Sequence, residues 1–250
     1  MRGLALGDDL SVLLKSLKHS DAEVRRSAAI ALENFGAEAA AAVPVLTQAL
    51  DDADVVTQVA ATRTLGQIGL AALPGLLQAL GKPEKQVRRE AIWALVRMGS
   101  AAKEAVPALA GALRDSDLKV RLGAAQALGA IGPDASAAIP SLIECLKDSN
   151  LIFCRLAAQA LTRLGPDAVP ALQQASRSAD KFVRREAKWA LSHLGQSASD
   201  SVNLETCDDC TSVTPDRIGS ALDKAAGLKS TLCVPVRPKN IGRTTIVRPA

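Results

Sequence analysis

The sequence contains no tyrosine, two tryptophans and three phenylalanines, so aromatic residues make up only 2% of its 250 positions. Strands draw on aromatic and β-branched side chains, and a chain this poor in aromatics does not build an all-β fold. Two histidines, His19 and His193, leave few groups that titrate near neutrality, which weighs against acid–base catalysis. The five cysteines (145, 154, 207, 210 and 233) are an odd number in a long chain. They do not form a secreted disulfide framework and point to a reducing cytoplasm. No apolar run approaches the ~20 residues of a membrane span. The first nine residues meet Asp8 and Asp9 before a signal-peptide core could form. A net charge of +4 is too mild to imply nucleic acid by itself.

Alanine is what the chain has in excess: 46 residues, 41 of them before position 196. Alanine has the highest helix propensity and the smallest side chain that still favours a helix, so the core is expected to consist of close-packed helices.

Those helices repeat. Glycines recur at 36, 69, 99, 132, 165 and 195, and prolines at 44, 74, 107, 140 and 170 keep matching intervals. Between them, a segment such as Val120-Arg121-Leu122-Gly123-Ala124-Ala125-Gln126-Ala127-Leu128 returns in six versions. Each unit reads as two helices. The second is expected to begin near Asp52, Asp115, Asp148 or Ser178, where a side-chain oxygen can cap free amides, and to end at the glycine. In the first helix, leucines stand two and six positions after the proline, as in Leu46/Leu50 and Leu109/Leu113. A proline within that apolar pattern predicts a bend. On a helical wheel the second helix of unit 1 buries Val24, Ala28, Ala31, Leu32 and Phe35. One helix pair cannot bury both apolar faces, so the units must stack into an all-α solenoid of about six hairpins over 1–195, with an irregular C-terminal tail. A longer period of 96 residues lies on top: Val87–Leu95 and Val183–Leu191 differ at one position, Ile92 against Lys188. Units 1–3 therefore read as duplicated in units 4–6.

These units resemble HEAT-like repeats of the short kind named after phycobilisome lyases: an Asp three before a Val, an Arg directly after it, Ala-Ala-x-Ala-Leu, and a closing Gly. The resemblance covers about residues 8–195. It implies a structural ladder holding the stack together, here Asp21/Arg25, Glu84/Arg88, Asp117/Arg121 and Asp180/Arg184. The spacing of four puts each pair on one helical face. Gln58, Asn150 and Cys154 break the ladder in units 2 and 5, where a softer stack is expected. The resemblance also reaches enzymes. Di-iron hydroxylase-like members carry His-Glu dipeptides, but His19 precedes Ser20 and His193 precedes Leu194, so no such site is expected. Bilin lyase-like members offer no short motif to match. No phosphate loop, zinc motif or nucleophile elbow is present. We expect no catalytic residues, no metal and no cofactor.

The resemblance further implies that second helices line the concave face. Positions two, six and ten after the Val column point away from the buried stripe, and they supply Arg26, Arg63, Arg89, Trp93, Arg97, Arg155, Arg163, Arg185, Trp189 and His193. Arg and Trp are enriched at binding hot spots. This face is the candidate site for a protein partner, with an acidic or phosphorylated segment suited to it. A nucleic-acid backbone ranks behind a protein, a bilin lyase-like role is the enzymatic alternative, and no membrane is expected. Cys145 stands in an alanine column and reads as packing; Cys207 and Cys210 lack further ligands for a zinc site. Residues 196–213 read as a linker, 214–228 as a short helix able to cap the stack, and 229–250 as a basic tail.

Overall fold

The computed structural model describes residues 3–194, with side chains from Leu10 onward, and every regular element among them is helical. Of the two units into which the chain divides, 200–250 lies wholly outside the described residues. So do Gly195, the linker, the short helix, the basic tail and Cys207, Cys210 and Cys233.

The six hairpins pair first helices α1 (Gly3–Ser16), α3 (Val43–Ala49), α5 (Leu73–Leu80), α7 (Val106–Ala112), α9 (Ile139–Cys145) and α11 (Val169–Ala175) with second helices. The second helices are α2 (Ala22–Leu32), α4 (Val55–Ile68), α6 (Lys85–Met98), α8 (Leu118–Ile131), α10 (Leu151–Leu164) and α12 (Lys181–Ser192). Each second helix packs on the second helix of the next unit, forming one continuous row from α2 to α12. The leucine two places after each proline, at 46, 76, 109, 142 and 172, is fully buried, as are most of the repeat alanines. Small side chains permit this close approach, and in places even a methyl is too large. A Cβ on Gly66 would lie 2.7 Å from the Ala94 Cβ, and one on Gly123 would lie 2.2 Å from Ile92 Cγ2. The closing glycines 36, 69, 99, 132 and 165 all have φ between +52° and +85°, a region costly for L side chains.

Four expectations need correction. The prolines do not bend a helix from within: each sits in the first turn of its first helix, where its missing N–H costs nothing, after a short 3-10 segment. The first helix, which the apolar residues Val12, Leu13, Leu14 and Leu17 lead one to expect over Leu10–Leu17, begins at Gly3. Within the wheel stripe, Ala28 and Leu32 are buried but Val24, Ala31 and Phe35 are only half-buried, at the open end of the row. Finally, the helical run from Ala22 to Ala49 is long and apolar enough by composition to cross a membrane. It turns at Gly36 (φ +52°), however, and Ala28, Ala29, Leu32, Ala39 and Leu46 point into the stack.

Candidate functional site

Five of the six second helices are launched by a two-step cap, α6 being the exception. The Asp54, Asp117, Asn150 and Asp180 side chains accept from backbone N–H groups of the first turn, so the capping residue lies two places beyond the expected one. The expected residues act one step earlier. Asp52, Asp115, Asp148 and Ser178 accept the backbone N–H of that capping residue, and His19 Nδ1 does so for Asp21. Glu84 stands at the cap position without capping, and its Oε2 is buried with no hydrogen-bond partner among the described residues.

The ladder residues do not pair within their own helices. Asp21, Asp117 and Asp180 are caps. The arginine four places on sends Nη1 back to the carbonyl six residues before it: Arg25 to His19, Arg88 to Lys82, Arg121 to Asp115 and Arg184 to Ser178. The two departures keep that bond, since Gln58 Nε2 donates to Asp52 O at 2.6 Å and Cys154 Sγ to Asp148 O at 3.1 Å. Units 2 and 5 therefore retain the link within the unit. The links between units come from the other edge of the guanidinium. Arg25 binds Asp52 of the next unit through Nε and Nη2 (2.6 and 3.0 Å), and Arg88 binds Asp115 in the same way (2.7 and 2.9 Å). Arg121 makes no such pair. It lies 5.6 Å from the Phe153 ring, with Nε buried and unpartnered.

A second rung runs alongside, and it takes arginines from the candidate face. Arg26 binds Asp54 through two nitrogens (3.1 and 2.7 Å), and Arg89 binds Asp117, again through Nε (2.8 Å) and Nη2. Fork-to-carboxylate pairs of this kind are strong and directional. The Arg26 hydrogen bond holds the Asp54 carboxyl far below the usual range, and the Arg89 bond lowers Asp117. Burial pushes Asp52 and Asp115 up, but their bonds to Arg25 and Arg88 and to a backbone N–H leave both lowered. Arg63 meets Glu90 at 2.9 Å and Glu33 at 4.0 Å. Arg155 and Arg185 both meet Glu186, which is only 2% exposed.

The two tryptophans occupy different environments. The Arg155 guanidinium lies 4.4 Å above the Trp189 ring, and His193 stacks beside it at 4.4 Å and 23°. Trp93 is 57% exposed. Beyond the ion-paired arginines, the rest of the face is uncommitted among the described residues. The side chains of Asn34, Gln67, Gln126, Gln159 and Arg163 make no hydrogen bond or ion pair, and Arg97 donates only to Gly66 O, at 3.0 Å. Cys145 and Cys154 are buried free thiols, and burial pushes them up to about 12 and about 11, so they stay protonated. No cluster able to hold a metal occurs among the described residues.

Sequence reasoning missed Asp54 and Glu186, and it read Asp52 and Asp115 as caps and Asp117 as a partner of Arg121 rather than as carboxylates that bind an arginine of the preceding unit. A signal was present: Arg25 and Arg88 are each followed 27 residues later by Asp, whereas the matching places in the shorter units, 24 residues after Gln58 and Cys154, hold Lys82 and Ser178.

A family model described as HEAT repeats matches residues 10–83, 73–162 and 139–211. The chain belongs to the HEAT-repeat family. No curated protein matches it. Among solved structures, this HEAT-repeat chain is similar to an engineered protein, with 26% identity, a TM-score of 0.51, and coverage of 74% of this chain and 96% of that one. It is also similar to the complex of CpcE and CpcF of phycocyanin lyase from Nostoc sp. PCC7120, with 27% identity, a TM-score of 0.51, and coverage of 74% and 77%. The HEAT-like repeats protein from Thermococcus onnurineus NA1 shares the fold, with 18% identity, a TM-score of 0.52, and coverage of 76% and 89%.

Proposed function

We propose that this HEAT-repeat chain is a non-enzymatic interaction scaffold that holds an extended polypeptide along its row of second helices. The observation that carries the reading is Trp93, a large aromatic 57% exposed in the middle of the row, with the unpaired carboxamides of Gln67 and Gln126 on the second helices either side of it. An exposed tryptophan amid unsatisfied polar groups is what an interface centre needs. Five of the seven arginines proposed for the site (26, 63, 89, 155 and 185) are neutralised by carboxylates. This favours a polypeptide over a phosphate backbone, which would need those charges free. The odd cysteine count, with buried thiols at 145 and 154, suits work in the cytoplasm.

The test is capture of partners by the wild-type chain and by Trp93→Ala and Trp189→Phe variants. Trp93→Ala should lose partners that Trp189→Phe keeps. Equal capture by all three would overturn the reading. A second reading, an accessory subunit of a bilin lyase, is supported by the similarity to the CpcE–CpcF complex. A shift in the absorbance of a linear tetrapyrrole on mixing would favour it; the scaffold reading expects none.

A further inference from the structure

Resting on the scaffold reading, we infer that the bound polypeptide carries two carboxylates about six residues apart, one for Arg97 and one for Arg163, with an apolar side chain beside the first for Trp93. Arg97 and Arg163 are the two arginines of the face that no carboxylate neutralises. Both occupy position ten of their helices, and both lie across a glycine of the preceding second helix. Arg97 donates to Gly66 O, and a Cβ on Gly129 would come within 3.4 Å of Arg163 Cδ. The missing side chain at Gly129 leaves room for Arg163, and both arginines are exposed.

Arg97 is in α6 and Arg163 in α10, with α8 between them. Two layers at roughly 10 Å each separate them by about 20 Å, and an extended chain rising roughly 3.3 Å per residue covers that in about six residues. Over the same span, Gln126 and Gln159 at position six have unpaired carboxamides. A carboxamide both donates and accepts, which matches a main-chain N–H and C=O and carries no charge to discriminate among side chains. Trp93 stands one turn from Arg97 and offers an apolar surface at that end. Positions two, six and ten contain no acidic residue, so nothing on these positions repels a carboxylate.

The test presents the full chain to a displayed library of random peptides about twelve residues long, enough to span the three helices when extended. Wild-type protein and the Arg97→Gln/Arg163→Gln variant are compared, with thermal melting as the check that the variant folds. Wild type should enrich peptides with two acids about five to seven residues apart and an apolar residue near one of them. A synthetic peptide of that pattern should shift Trp93 emission in a Trp189→Phe background. Each single Arg→Gln change should weaken it roughly tenfold or more, the loss expected for a charged hydrogen bond. Enrichment of peptides without the acid pair, or binding indifferent to the double variant, overturns the inference and leaves the scaffold reading standing. No enrichment of any peptide overturns both. Displacement of the peptide by single-stranded nucleic acid, lost on the same two substitutions, would assign the cations to phosphates and overturn the inference.

Discussion

Helices α6 and α12 carry nearly the same sequence, Val-Arg-Arg-Glu-Ala-x-Trp-Ala-Leu, yet their arginines and tryptophans do different work. In α6, Arg88 and Arg89 reach forward to Asp115 and Asp117 and fasten unit 3 to unit 4, while Trp93 is left to solvent. In α12, the last second helix among the described residues, Arg184 donates to the carbonyls of Ser178 and Ala179, and Arg185 turns to Glu186. Trp189 lies between Arg155 and His193. The difference lies outside the shared nine residues, in the neighbouring unit and in the last turn of the helix. Arg155 of α10 faces Trp189, whereas the corresponding residue before Trp93 is Val59, and the place of His193 is taken by Arg97. A repeated motif thus becomes structural or available according to the unit packed against it.

Acid should separate the two helices most strongly, because it removes Asp52, Asp54, Asp115 and Asp117 together. Their carboxyls are lowered in the folded state. The stability they contribute is present above the unfolded carboxyl range near 4 and is lost as pH falls through the lowered values. Amide protection followed by hydrogen exchange should fail in α6 and α8, and in α2 and α4, while α12, which uses none of these carboxylates, keeps its own. Next in size, Arg88→Ala should cost about 3 kcal/mol in chemical denaturation, since it strands the part-buried Asp115. Arg184→Ala removes only bonds to carbonyls and should cost about 1 kcal/mol. Arg155→Ala should cost about 2 kcal/mol, because Glu186 keeps Arg185 as its remaining partner, and Trp189 emission should shift towards that of an exposed indole. Val59→Arg should have the smallest effect. By supplying a cation over Trp93 it should change stability by less than about 1 kcal/mol, while protecting the ring from quencher.

Much of the fold was legible because stacking demands periodicity. The glycines at 36, 69, 99, 132 and 165, the leucines after each proline and the alanine excess all follow from packing identical units. Helix starts were displaced by two residues because Asp52 and Asp54 are both good caps; only the backbone shows that the first holds the second, which then caps the helix. The candidate face was found as a set of positions, but its chemistry was not. A helical wheel treats each helix alone, and the carboxylates that take up Arg26 and Arg89 come from the unit beyond, 28 residues on. For the same reason the wheel gave Trp93 and Trp189 equal standing.

Acrylamide quenching of tryptophan fluorescence in two single-tryptophan chains tests the division directly. The Trp189→Phe chain reports Trp93 and should emit at long wavelength and be quenched steeply. The Trp93→Phe chain reports Trp189 and should emit at shorter wavelength and resist quenching, covered by Arg155 and His193. Equal quenching of both chains, or a Trp93 better protected than Trp189, would contradict the account.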